Sequence, residues 1–121
     1  MGLFDLFKKK QDSIESQPAD YSEIDSNEKA QELYDKGQLS KLHLVSLDFG
    51  GEDSLLNSLF VPRHAKEKKE KFDLTLMKML QDGLKLGFKA NPEYKGKSFI
   101  PSKIVINVTG DKTLTETIDI W

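Results

Sequence analysis

The chain has no cysteine. That excludes a disulfide framework, a thiolate metal site and a cysteine nucleophile. Histidine is scarce, two in 121 residues, which argues against a histidine-rich metal cage. No apolar run approaches the ~18 residues that a membrane-crossing helix needs. Gly-x-Ser-x-Gly, His-Glu-x-x-His and the phosphate-loop pattern are all missing, so no catalytic motif is legible and no cofactor is implied. What remains is ordinary for a soluble intracellular domain: 37% hydrophobic and 31% charged residues in 13.8 kDa. That length suits one domain, with about two thirds of the unfolded surface buried on folding.

Charge is unevenly placed. Residues 1–60 carry six lysines against twelve acids, net −6, and residues 61–121 carry twelve cations against eight acids, net +4. Within residues 12–35 eight acids face Lys29 alone. Such a stretch repels nucleic acid and steers toward a basic partner, or it is a solvated connector and helix face.

The N-terminus reads as a separate part. Leu3, Phe4, Leu6 and Phe7 share one face of a short helix, and Lys8, Lys9 and Lys10 follow at once. This amphipathic turn over residues 1–10 docks on protein, lies on an anionic membrane surface or stays disordered. It lacks a signal-peptide cleavage site, and Leu6 stands where a myristoylation motif wants Ser or Thr. Residues 11–26 are polar and read as a flexible acidic linker. Residues 27–121 then form the domain.

In that domain Ser26 caps a helix over 27–36, and Gly37 stops it. Residues 41–49 alternate as a strand, closed by Gly50 and Gly51. Leu59, Phe60 and Val61 make a short strand ended by Pro62. A long helix runs from Arg63 to Lys85, with Ala65, Phe72, Leu76, Met79 and Leu80 on its core face and Gly87 as its stop. Its first turns, Lys69 included, read as polar and water-facing. A strand or extended arm over 88–94 is weakened by Pro92. Residues 103–109 and 113–121 alternate around Gly110-Asp111 as a C-terminal β-hairpin, with Trp121 inside the fold. The fold class is therefore α+β: a single domain, an antiparallel-dominated sheet and a long helix packed on one face.

Chemistry-bearing clusters are few. Gly50-Gly51-Glu52-Asp53 could hold a cation with Asp48, or offer an acidic protein-binding loop, or simply turn the chain. It superficially resembles the Gly-Gly-Asp/Glu-Glu turn of nucleotide cyclases, but the chain is too short and Ser54 stands where that motif closes with phenylalanine. His43 and His64 have no flagged nucleophile beside them. In residues 63–71 five cations interleave with Glu67 and Glu70, the pattern of a solvated helix rather than a phosphate track. The segment from Tyr94 to Phe99 is a basic–aromatic loop that could meet a partner.

The segments LDFGGEDS (47–54), LFVP (59–62), PEYKGKSFIPSK (92–103) and ETIDIW (116–121) resemble a group of small uncharacterised bacterial proteins. Some of these are regarded as immunity partners of secreted polymorphic toxins. The resemblance covers roughly residues 28–121 and carries no catalytic motif. It implies a cytoplasmic protein that binds and blocks, for which an acidic surface suits a basic toxin domain.

The residues expected to meet a protein partner are Glu28, Glu32, Asp35, Glu52 and Asp53. The alternative is a peripheral membrane or assembly factor anchored by Leu3, Phe4, Leu6, Phe7 and the lysines 8–10. A third reading is a small metal- or ligand-binding protein using the Gly-Gly-Glu-Asp loop. An open C-terminal edge strand would also allow a dimer.

Overall fold

The computed structural model describes residues 20–121. Two α-helices and five strands follow in the order α1 (Asn27–Asp35), β1 (Ser40–His43), a 3-10 turn (Leu47–Phe49), β2 (Ser58–Val61), α2 (Arg63–Gln81), β3 (Leu86–Tyr94), β4 (Pro101–Gly110) and β5 (Leu114–Asp119). This is an α+β domain. Its strands form two antiparallel sheets, a β1–β2 ribbon and a β3–β4–β5 meander.

The meander supplies most of the core. Antiparallel pairing sets Phe88 opposite Val108 and Ile104 opposite Ile118. Alternation then puts Ile104, Ile106, Val108 and Ile118 on one face, all essentially fully buried. The other face carries the exposed Thr115 and Thr117 beside the half-buried Val105 and Asn107. Burying each of those aliphatic side chains contributes about 1.5–3 kcal/mol. Pro92 does not interrupt β3, because β3 is an edge strand whose outer side needs no ladder hydrogen bond.

Helix α2 packs against both β1 of the ribbon and β5 of the meander. It presents Ala65, Lys69, Phe72 and Leu76 as its buried residues. Leu80, expected on the core face, is exposed. The helix also stops four residues short of Lys85. Gly83 at φ +92 admits the left-handed turn there, and the Leu84 N–H closes back onto the Met79 carbonyl at 3.1 Å.

Helix α1 forms as the sequence indicates. The Ser26 hydroxyl accepts from the Lys29 N–H at 3.2 Å, and the chain turns at Gly37. Ala30 is its buried anchor, and the helix packs against β2.

Two more expectations need correction. The strand over 41–49 is only Ser40–His43 long, for a reason given below. Residues 20–26, grouped with the linker by composition, pack into the fold. Tyr21 and Ile24 lie against the core, the buried Ser98 hydroxyl donates to the Tyr21 carbonyl at 2.7 Å, and the Phe99 N–H donates to the Ile24 carbonyl at 2.7 Å. Trp121 closes the same corner. Its indole N–H donates to the Ile100 carbonyl at 3.0 Å, and its ring meets Tyr21 edge-on at 5.9 Å. The amphipathic segment over residues 1–10 and residues 11–19 lie outside the described residues. Among the described residues no helix is long and apolar enough to cross a membrane.

Candidate functional site

The loop between β1 and β2 is built around one side chain. Asn57 accepts from the Val45 N–H at 2.8 Å through Oδ1 and donates to the Val45 carbonyl at 2.9 Å through Nδ2. A side-chain amide thereby takes the place of a strand partner. The same Nδ2 donates to the Glu52 carbonyl at 2.8 Å. This is why β1 ends at His43: beyond Leu44 the pairing groups of the backbone are taken by Asn57 rather than by a strand. Ser46 then starts the 3-10 turn, its hydroxyl accepting from the Asp48 N–H at 3.2 Å. Gly51 runs so close to the chain above it that an added Cβ would stand 2.0 Å from the Val45 carbonyl oxygen.

Asp53 fastens the loop from the other side. Its Oδ1 accepts from His43 Nε2 at 3.0 Å and lies 3.4 Å from the Ser58 hydroxyl and 3.5 Å from Lys41 Nζ. The His43 hydrogen bond and the Lys41 charge hold its carboxyl below the usual carboxylate range.

At the tip, the Asn57 N–H donates to the Ser54 carbonyl at 3.1 Å and closes a turn over Leu55 and Leu56. Turn positions of this kind favour Gly, Pro, Asn, Asp and Ser. Here two leucines occupy them, 84% and 94% exposed, on a loop whose backbone is pinned. Leu55 borders a cleft of about 470 Å³ whose other walls include Asn27 and Gln31 of α1, Asp53, Tyr94 and Phe99. Tyr94 and Phe99, at either end of the basic–aromatic loop, are about half exposed.

The expected partner-binding residues divide. Asp53 lines this cleft and Glu52 precedes it with an exposed side chain. Glu28, Glu32 and Asp35 lie on a neighbouring stripe of α1, outside the lining. Glu32 pairs with Lys36 at 2.9 Å, and Asp35 accepts from Gln31 at 2.9 Å. Asp48 sits in the 3-10 turn on the other cleft, so the three acids of the metal reading do not converge. Among the described residues no three His, Asp or Glu side chains are grouped to hold a metal ion. The leucines at 3 and 6, the phenylalanines at 4 and 7 and the lysines at 8–10 lie outside the described residues.

A second cleft of about 470 Å³ separates the ribbon from α2. Lys69 lies in its wall with a side chain only 2% exposed. This corrects the reading of Lys69 as water-facing. Its ammonium donates to both Asp73 oxygens at 2.8 Å and stands 5.5 Å from the centre of the Phe88 ring. Burial raises the Asp73 carboxyl above its usual value despite the attraction of Lys69. A lysine bound to a carboxylate in this way is no free nucleophile.

No known family matches this chain, and no curated protein matches it.

Proposed function

We propose that the protein is a non-catalytic, cytoplasmic protein-binding module whose contact surface is the Leu55–Leu56 turn and the cleft beside it. The observation that carries this reading is the pair of leucines exposed on a pinned turn. Leaving two large aliphatic side chains in water forgoes about 1.5–3 kcal/mol each, and association recovers it. Because the loop is already ordered by Asn57 and Asp53, a partner would lose little to ordering it. Glu52 and Asp53 next to the leucines favour a basic rim on that partner. The immunity resemblance of residues 47–54 supports a basic toxin domain as the partner class, with occlusion as the mechanism.

The test is co-purification with neighbouring gene products co-expressed, using the wild type, a Leu55→Ser/Leu56→Ser variant and a Glu52→Lys/Asp53→Lys variant. A stoichiometric basic partner held by the wild type and released by both variants, with the leucine variant melting as the wild type does, is the expected result. A partner retained by the leucine variant, or none captured at all, would overturn the reading.

A further inference from the structure

The meander ends on two edges of different character. The β3 edge is defended by Pro92, by a register irregularity between Glu93 and Tyr94 and by the exposed Lys89. The β5 edge lacks proline, glycine, bulge and lysine alike, and its charged residues are the exposed Glu116 and Asp119. Its register against β4 is unbroken. Among the described residues, β4 is the only strand that pairs with it.

The hydrogen-bond phase of β5 is fixed by its end. The Ile120 N–H donates to the Ser102 carbonyl at 2.8 Å, and Lys103 stands opposite Asp119. In an antiparallel ladder the even-numbered residues of β5 therefore bond to β4, and the N–H and C=O groups of Thr115, Thr117 and Asp119 point outward. The 3.0 Å hydrogen bond from the Thr115 hydroxyl to Asn107 Oδ1 agrees, since side chains approach closely at pairs that share no backbone bond.

We propose that β5 is an interface for a second copy of this chain, paired antiparallel about a two-fold axis at Thr117. The pattern of residues selects both the partner and the register. About Thr117, every outward backbone group of residues 115, 117 and 119 meets its complement, giving six hydrogen bonds across the axis. Thr117 faces its own copy, Thr115 faces Asp119, and Glu116 faces Ile118, so no like charges are opposed. An axis at Asp119 would oppose two carboxylates. An axis at Thr115 would leave Asp119 unpaired. An axis at Glu116 would oppose two carboxylates, and one at Ile118 would pair Thr117 only with Asp119, four hydrogen bonds instead of six, with Thr115 facing a residue beyond the strand. An axis between residues would put outward groups against inward ones. The product is a continuous six-stranded sheet whose remaining edges are the two defended β3 strands. This inference rests on β5 and is independent of the cleft reading.

The lack of cysteine makes the test specific. Facing residues at the axis lie ~5.5 Å apart between Cα atoms, within disulfide range. The two copies of residue 115 would instead lie about 14 Å apart, four residues at ~3.4 Å each. In full-length protein at tens of micromolar, Thr117→Cys should form a covalent dimer on mild oxidation, at least tenfold faster than Thr115→Cys. Sedimentation of the wild type should give twice the 13.8 kDa chain mass. Thr117→Lys should return it to a monomer with an unchanged circular dichroism spectrum. A wild-type monomer at 100 μM, or equal crosslinking of the two cysteine variants, would overturn the proposal.

Discussion

Replacing Lys69 with methionine keeps the buried stem and removes the charge. Wild-type Lys69 satisfies both oxygens of Asp73, whose side chain is only 15% exposed. Losing one partner of a fully buried pair costs ~3–5 kcal/mol, mostly as the penalty of the carboxylate left behind. The residual access of Asp73 to water lowers that to about 2–4 kcal/mol. For a domain near 100 residues this is a fall in Tm of about 10–20 °C. The deficit depends on pH with a definite sign. The folded Asp73 pKa already lies above its usual 3.8, because burial outweighs the opposing effect of Lys69. A raised carboxyl contributes stability below the unfolded value and loses it as pH rises through the folded value. Without Lys69 the folded value climbs further, so the variant should lose most at neutral pH and least below 3.8. Urea unfolding at several pH values measures this directly. The double variant Lys69→Met/Asp73→Leu should recover most of the loss, since well-packed apolar replacements of buried pairs are near neutral or stabilising. A Lys69→Met deficit below ~0.5 kcal/mol at pH 7, or one that widens in acid, would refute the account of Lys69 as a buried, obligatory partner.

Two further outcomes follow from the β1–β2 loop. Gly51→Ala should be severely destabilising, because its Cβ would meet backbone 2.0 Å away and nothing flexible can yield; thermal melting checks this, and a Tm within 2 °C of wild type would contradict the geometry. Asn57→Ala removes three hydrogen bonds to the half-buried turn and should cost about 2–3 kcal/mol, with faster amide exchange at Val45 as its local signature.

The C-terminal hairpin was legible because two period-2 runs flank Gly110-Asp111, and burial of Ile104, Ile106 and Val108 follows from that alternation. The truncation of β1 was not legible. It depends on a side chain fourteen positions beyond His43, and spacing says nothing about where an amide will reach. Tyr21 and Ile24 were hidden for a similar reason: among polar neighbours they look solvated, and the group that holds Tyr21 lies at Ser98. Lys69 was different, because the signal was present. Residues 65, 69, 72 and 76 form one helical stripe, so the phase set by Phe72 and Leu76 runs back through Lys69, with Asp73 one turn on. A lysine among charged neighbours masks that phase. At the candidate site, Glu52 and Asp53 stand out by charge, whereas Leu55 and Leu56 carry no charge or periodicity that marks them. Two leucines between Ser54 and Asn57, where turn formers belong, were the available clue.

The edge-on contact of Tyr21 with Trp121 joins residues one hundred positions apart in the chain. The described residues thus nearly close a ring through that contact. Forming that contact last, after the meander and ribbon are in place, means closing a short residual gap rather than a hundred-residue loop, and loop-closure entropy grows with the logarithm of that length. The same ring admits another starting point. A peptide bridge across the Tyr21–Trp121 corner, with a cut in the exposed turn at Lys112, would thread the same core in a different order.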